Sequence, residues 1–331
     1  MTVDTSIYAA GGFGSIYKGK YISQRIVKKE MHKFNKESFL KELGTTHFYR
    51  NTRSPTVMGI TQDVKICLDS KRASKNEYQE IPSSSIILEY IGGENLRTII
   101  QNYLKIGKLN SIGHQLLIVL LMIDLAKAIE FLHGKNLIHR DIKPENIIVN
   151  YNFELKLIDF GISKECAKTN VLTTSEKGTV FYEPPENVVG DIDAGEEDFL
   201  RSDFNTTRKI SKAFDIWAFG LIVSETLSGE IPWGDEYRKK PNQVVLALMN
   251  KKKFPIPKSI TDSDIIYLIE SCTEYHPRDR IEIKEIIRLL TKIFIKKLDK
   301  VSKERDIRQI FGIKGGRDSK NIFLIFKICC L

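Results

Sequence analysis

The chain has 331 residues, of which 42% are hydrophobic and 28% charged, as is typical of a globular protein with an ample core. Its longest apolar run, Leu116–Ile123, ends at Asp124. That run is too short to cross a bilayer and predicts a buried helix. The polar start of the chain predicts no secretory signal. Five cysteines without metal-ligand spacing favour a reducing compartment, so we expect a cytoplasmic protein.

The net charge of +9 is concentrated at the end of the chain. Residues 291–331 carry eleven Lys/Arg and four Asp/Glu, a net of +7. The favoured interpretation is a solvated amphipathic helix with a flexible end; attraction to an acidic partner or an anionic membrane is the alternative. No nucleic-acid motif accompanies the charge, so we predict no nucleic-acid partner. The apolar segment Asn321–Leu331, with paired cysteines, fits membrane contact or packing on the rest of the protein.

The predicted elements change character near residue 90. Before it, the patterns indicate a strand–turn–strand unit, a short strand, a helix and a buried strand: Tyr8–Tyr21, Arg25–Lys28, Lys36–Tyr49 and Ser84–Tyr90. After Gly92 and Gly93 they indicate two helices, two short strands and a helical region: Leu96–Leu104, His114–His133, Ile147–Asn150, Leu155–Ile158 and Phe214 to about Leu298. A small β-rich lobe and a larger helical lobe are therefore expected, with a ligand crevice between them.

Two short strings carry the most chemical information. Residues 139–146 read H-R-D-I-K-P-E-N and residues 159–161 read D-F-G. The first string places Asp141 where it could accept a hydroxyl proton, and Asn146 and Asp159 could hold metal-bound phosphates. The spacing fits a catalytic loop, a β-hairpin and a metal loop. Both strings closely resemble those of the eukaryotic protein kinases, and a chance match at this spacing is very improbable.

This resemblance covers roughly residues 5–298. It implies an α+β fold of two lobes, similar to the protein kinases: an N-lobe of about 5–90, a hinge of about 89–93 and a C-lobe of about 94–298. An acidic insertion at 189–209 and a basic, apolar tail at 299–331 lie outside the family pattern. The favoured interpretation of the insertion is a disordered surface loop. The alternative is a segment that contacts basic substrates or the tail.

The resemblance also implies catalytic roles. Asp141 orients the acceptor hydroxyl and accepts its proton, and Lys143 neutralises charge on the transferred phosphoryl group. Asn146 and Asp159 bind Mg²⁺, so ATP and Mg²⁺ are the expected cofactors. Lys143 and Thr179 favour serine and threonine hydroxyls of protein substrates over tyrosine.

Ala9–Gly19 resembles the glycine-rich loop of the kinases, whose backbone amides approach phosphate oxygens. Gly11 and Gly14 match the second and third glycines, and Ala9 replaces the first. Ile16 matches the aliphatic residue that covers adenine. Leu88, Glu89, Ile91 and Ile148 match, in turn, the gatekeeper, two hinge positions and the residue below adenine.

Lys28 matches the lysine that holds the α- and β-phosphates, although its neighbour Lys29 leaves the register uncertain by one. Glu42 is the best match for the helix glutamate that pairs with this lysine, and Glu37 is the alternative. Ile26 stands where the family usually has a small alanine against adenine. With Ala9, it is the support for the rival interpretation, a pseudokinase that acts as a scaffold or allosteric partner.

Three further features are implied as supports. Glu186 should pair with Arg280, and Asp215 should hydrogen-bond the backbone of the catalytic loop. Arg140 often contacts a phosphorylated loop residue in this family, and Thr173, Thr174 and Ser175 lie at a suitable distance. The expected function is protein phosphorylation in intracellular signalling.

Overall fold

The computed structural model describes residues 2–3, 6–11, 14–21, 24–31, 85–104, 112–159, 164–165, 179–189 and 211–303. The predicted helix Lys36–Tyr49, most of the acidic insertion and the end of the tail lie outside these ranges. None of the described helices is both long and apolar enough to cross a lipid bilayer.

The N-terminal region is an antiparallel sheet, in agreement with the strands predicted there. Its order is β1-β3-β4-β5, and β2 pairs with residues 14–16 of β3, on the same edge as β1. The bounds are Thr2–Val3 (β1), Ala9–Gly11 (β2), Gly14–Tyr21 (β3), Gln24–Met31 (β4) and Ser85–Glu89 (β5). The predicted strand–turn–strand unit is confirmed as the β2–β3 hairpin, in which Gly11 lies opposite Gly14. Strand β4 is longer than the predicted Arg25–Lys28, because its whole length pairs with β3.

The C-terminal region is mainly helical, and it confirms the predicted two-lobed α+β fold. Its helices are Leu96–Ile99 (α1), Ile112–Gly134 (α2), Pro185–Val188 (α3), Ala213–Ser228 (α4), Asp235–Lys239 (α5), Asn242–Met249 (α6), Ser263–Cys272 (α7) and Ile283–Lys303 (α8). The predicted helix Leu96–Leu104 divides into α1 and a wider π-helical turn, Ile100–Leu104. Short 3₁₀ turns lie at Pro144–Asn146, Thr179–Tyr182 and Pro277–Asp279.

Helix α4 is the centre of the large lobe. Residues 214–226 are all buried, including Trp217 and Phe219, so this helix is surrounded by protein on every side. It packs against α2 and α7, and α2 also packs against α8. It ends at Gly229, whose left-handed backbone (φ 72°) lets its N–H bond the carbonyl of Glu225 at 2.8 Å.

A second, three-stranded sheet joins the lobes and carries the catalytic segment. It contains Gly93–Asn95 (β6), Ile147–Asn150 (β8) and Leu155–Leu157 (β9) in the order β6-β8-β9. Gly93 is required at the start of β6, because a Cβ there would lie 2.2 Å from the carbonyl oxygen of Val149. Leu137–Ile138 (β7) pairs with Lys164–Glu165 (β10) close by.

Candidate active site

Asp215 fixes the catalytic loop to the buried helix α4. Its carboxylate accepts the backbone N–H groups of His139 at 3.0 Å and Arg140 at 2.9 Å, and it lies 2.8 Å from Nε2 of His133. Burial alone would raise the pKa of Asp215, but the hydrogen bond and charge of His133, with the Arg140 N–H, hold it below its ordinary value. The predicted role of Asp215 as a backbone anchor is therefore confirmed.

Asp141 lies among groups that fix both of its carboxylate oxygens. Lys143 Nζ is 2.8 Å from Oδ1, and the Asn146 side-chain amide donates to Oδ2 and to the Asp141 carbonyl, both at 2.8 Å. The Asp141 side chain is 3% exposed. The three predicted residues of the catalytic loop therefore form one cluster with an oriented carboxylate.

His139 and Asn146 together hold the chain just before Asp159. The N–H of Ile158 donates to the Asn146 carbonyl at 2.9 Å, and the carbonyl oxygen of Ile158 lies 3.1 Å from Nε2 of His139. Because Nδ1 of His139 accepts the Asp141 N–H at 3.3 Å, the ring carries its proton on Nε2. The β8–β9 hairpin thus returns the chain to the catalytic loop, as the spacing predicts.

The lysine that faces Asp159 is Lys29, one position beyond the predicted Lys28. Lys29 Nζ lies 2.8 Å from Oδ1 of Asp159, and the Lys29 side chain is 6% exposed. Lys28 instead lies 3.3 Å from Glu30 and above the ring of Tyr17. Successive side chains of a strand point to opposite faces, so the two lysines of β4 cannot share a role. The Lys28 assignment is corrected to Lys29.

The same register corrects Ile26. In the sheet, Ile16 lies opposite Lys29, and Val27 lies opposite Leu88. Directly opposed residues share a face, so Ile16, Val27, Lys29 and Leu88 line one side of the sheet. Ile26 lies on the other side, so Val27, a smaller residue, occupies the position assigned to Ile26. The support that Ile26 gave to the pseudokinase interpretation is removed.

The oxygen atoms available near this cluster suit a hard cation. The amide nitrogen of Asn146 is used in two hydrogen bonds to Asp141, which directs its carbonyl oxygen elsewhere. Asp159 contributes a carboxylate, and Mg²⁺ prefers a few such oxygens together with phosphates and waters. Asn146 and Asp159 therefore fit the predicted ion.

Arg280 anchors the segment that contains Glu186. Its guanidinium group forms a bidentate pair with the Glu186 carboxylate, at 2.7 and 2.6 Å, and also lies over the ring of Trp217. This confirms the predicted Glu186–Arg280 pair. We call residues 179–186, from Thr179 to Glu186, the platform.

Glu183 is a buried platform carboxyl that sequence reasoning missed. Burial raises its pKa to about 7, the Asn187 amide opposes this, and Asp141 raises it further, while Arg140 and Lys143 lower it. Glu183 is therefore electrostatically coupled to the catalytic loop, although the motif itself gives no signal of it.

A second missed feature is a network around Arg97 of α1. The Arg97 guanidinium donates to Glu145 at 2.8 Å and to the Tyr182 hydroxyl at 2.5 Å, and it also pairs with Glu225. The Tyr182 hydroxyl donates to Glu225, whose side chain is fully buried. One arginine thus connects α1, the catalytic loop, the platform and α4.

The remaining predicted residues are placed as follows. Ala9, Gly11 and Gly14 lie in the β2–β3 hairpin, Glu89 ends β5, and Ile91 follows it between the lobes. Ile148 lies in β8 opposite Asn95 of β6. Other predicted residues lie outside the described ranges: Glu37, Glu42, Thr173, Thr174 and Ser175.

Comparison with known sequences agrees with this geometry. The profile of the protein kinase domain family matches residues 9–289. That range contains every cluster described above and most of the chain. The chain therefore belongs to the protein kinase family.

Three curated relatives illustrate the range of similarity. Mitogen-activated protein kinase kinase 1 of Arabidopsis thaliana is 27% identical over 82% of this chain and 71% of its own length. Serine/threonine-protein kinase STY46 of the same plant is 27% identical over 86% of this chain, and the Aurora kinase of Eremothecium gossypii is 33% identical over 49%. The chain spans 43% and 38% of those two proteins, respectively.

Proposed function

We propose that this protein transfers the γ-phosphoryl group of Mg-ATP to serine and threonine hydroxyls of protein substrates. The observation that carries the proposal is the joint placement of Asp141, Lys143 and Asn146 in one cluster, with Asp159 paired to Lys29. Family membership supports ATP as the donor and a protein as the acceptor.

The acceptor hydroxyl is oriented by Asp141. Because Lys143 and Asn146 each hold one of its oxygens, the carboxylate is directed before the substrate binds, which lowers the entropic part of the barrier. Asp141 accepts the hydroxyl proton as the new oxygen–phosphorus bond forms, while the bond between the γ-phosphorus and the oxygen of the β-phosphate breaks and ADP leaves. Lys143 remains beside the transferred group and offsets the negative charge that spreads over its oxygens.

The phosphates are held from both lobes. Lys29 would reach the α- and β-phosphates from the small lobe, while Asn146 and Asp159 would hold the metal from the large lobe. When bound, Mg²⁺ would neutralise charge on the phosphates. The Lys29–Asp159 pair keeps the two contributions next to each other before nucleotide binds. Glu42 remains our proposal for the partner that aims this lysine.

The adenine ring is expected between the two sheets. Ile16, Val27 and Leu88 share one face of the five-stranded sheet, and Ile148 of β8 would lie below the adenine ring. The backbone of Glu89 and Ile91 would meet the adenine edge. Ala9, Gly11 and Gly14 would place backbone amides over the phosphates. We place the activity in the cytoplasm, in intracellular signalling.

The test is phosphate incorporation from labelled ATP into a generic basic protein. We expect incorporation on serine and threonine, and a loss of about a hundredfold or more in Asp141→Asn. Recovery of phosphotyrosine alone would refute the acceptor class. A signal no higher than that of the variant, with no thermal shift by Mg-ATP, would favour the pseudokinase scaffold instead.

A further inference from the structure

The loop after α6 presents four lysines around a cavity that the proposed reaction does not use. Lys251, Lys252, Lys253 and Lys258 are all exposed. They line a cavity of about 470 Å³, whose other walls include Phe254, Ile256, Pro257 and Ile266. We call this cavity and its rim the lysine groove. Its combination of an apolar interior and a basic rim is more specific than a solvated charge run.

The direction of the loop is fixed by the end of α6. Lys251 has a left-handed backbone (φ 53°), and its N–H bonds the Leu248 carbonyl at 3.0 Å. The N–H of Lys252 bonds the Ala247 carbonyl at 2.9 Å. Helices often end in this way, but usually on glycine, because the conformation costs other residues about 1–2 kcal/mol. A lysine held there at a cost is placed at a defined point of the surface.

The lining of the groove carries a net positive charge. Lys252 donates to the Tyr237 hydroxyl at 2.9 Å. Within the described ranges, Lys251, Lys253 and Lys258 take part in no ion pair. Glu270 and Glu274 also line the cavity, so its lining carries four positive and two negative side chains. A ligand that fits must therefore supply negative charge.

An apolar surface adjoins the lysines on α6. Leu246 and Met249 are 55% and 56% exposed, and their spacing of three residues places them on one face of the helix. The opposite face, with Val244 and Leu248, is buried. Helix α6 itself packs against α3 and the 3₁₀ turn Thr179–Tyr182. The helix as a whole therefore contacts the platform, while Leu246 and Met249 remain exposed on its other side.

We propose that the lysine groove and the exposed face of α6 form a docking surface for a protein partner that presents an acidic segment containing large apolar side chains. The carboxylates would meet the lysines, and the apolar side chains would meet Leu246, Met249 and the interior of the groove. Nucleic acid offers phosphates but few apolar groups for such a cavity. A bilayer surface does not enter a concave site of this size. This surface is separate from phosphoryl transfer, so its test does not depend on activity.

The probe is a fluorescein-labelled synthetic peptide of Glu, Asp, Leu and Phe, followed by fluorescence anisotropy with the full chain. We expect saturable binding that weakens with salt. The variant Lys251→Glu/Lys253→Glu/Lys258→Glu should weaken binding by about tenfold or more. A matched variant, Lys127→Glu/Lys292→Glu/Lys300→Glu, alters the net charge equally at exposed lysines elsewhere and should bind like the wild type. Leu246→Ser/Met249→Ser should also weaken binding, by about fivefold.

Equal losses in the two charge variants would overturn the proposal, because they would indicate attraction to net charge alone. Unchanged binding in the groove variant would overturn it as well. A duplex DNA oligonucleotide, or vesicles of phosphatidylserine and phosphatidylcholine, serve as competing probes. Tighter groove-dependent binding of either would replace the protein partner by that ligand. Circular dichroism and Asp141-dependent kinase activity, each unchanged in the groove variants, would show that the fold and the proposed reaction are intact.

Discussion

The ammonium group of Lys29 lies 2.8 Å from the carboxylate of Asp159, 130 residues further along the chain. This pair crosses from the five-stranded sheet to the loop after β9. The consequence is that Lys29→Met should lower kcat by about a hundredfold or more, since it removes a cation from the phosphates. Lys28→Met is the matched control, because Lys28 lies on the opposite face of β4; its activity should stay within a few-fold of wild type. Steady-state kinetics with labelled ATP would measure both, and the reverse order would restore the Lys28 assignment.

Removal of Arg97 should destabilise the large lobe. Arg97→Met leaves the fully buried Glu225 with the Tyr182 hydroxyl alone among its described partners, and an uncompensated buried charge costs about 3–5 kcal/mol. The double variant Arg97→Met/Glu225→Gln should recover part of that loss. Urea unfolding would measure each free energy. Arg288→Met, which breaks only an exposed pair with Glu285, should cost less than about 1 kcal/mol; an equal cost for both arginines would contradict the network.

Asp215 should contribute to stability in a pH-dependent way. Its pKa is lowered in the folded protein, so its contribution is complete above the unfolded value near ~3.9 and is lost as the pH falls through the lower folded value. Asp215→Asn should therefore cost about 2–4 kcal/mol at neutral pH and flatten the acid limb of the stability curve. Asp235→Asn, at an exposed position of α5, is the control. If stability fell in the same way with decreasing pH in the wild type and in Asp215→Asn, Asp215 would not be the source of the pH dependence.

Glu183 should make the stability depend on pH in the opposite direction, with a loss as the pH rises. Its pKa is raised to about 7 by burial, against an unfolded value near ~4.3. The favourable contribution of the protonated group is thus complete below the unfolded value and is lost as the pH rises through about 7. Glu183→Gln should be more stable than wild type at alkaline pH, by about 3–4 kcal/mol, and nearly equal below about pH 4. Thermal melts across pH would measure this, with Glu236→Gln as the exposed control.

Gly93 should be intolerant of any side chain. A Cβ at this position would lie 2.2 Å from the Val149 carbonyl oxygen and 2.7 Å from the Asn150 Cα, so Gly93→Ala must displace β6 from β8. We expect a cost on the order of 2–4 kcal/mol in urea unfolding. Gly134→Ala, where a Cβ meets nothing within 4 Å, should be neutral or slightly stabilising. Similar stabilities for the two variants would contradict the close approach at the lobe junction.

The parts of the molecule that could be predicted from sequence are those that local signals determine. The β2–β3 hairpin follows from glycines between apolar strands, and the catalytic loop follows from a contiguous motif. The choice between Lys28 and Lys29 depends on cross-strand register instead, which two adjacent lysines do not reveal. The sequence alone would have identified the correct lysine only if Ile16 and Leu88 had been required to lie on the same face of the sheet as that lysine.

The Arg97 network could not be predicted for a different reason. Arg97 and Glu225 are separated by 128 positions, and Arg97 and Tyr182 by 85. No motif links such distant segments, and a single arginine on a short helix looks like an ordinary surface charge. Only the packing of α1 against the catalytic segment brings them together. The same applies to Glu183, whose burial depends on the fold around the platform.

The carboxylate of Asp215 couples the thermal stability of the large lobe to the catalytic activity of the loop. Because it ties residues 139 and 140 to the centre of the large lobe, the loop that holds Asp141 has little freedom to loosen ahead of that lobe. Inactivation on heating should then coincide with the cooperative melting of the helical lobe, and the temperature at which turnover stops should report on the integrity of α4.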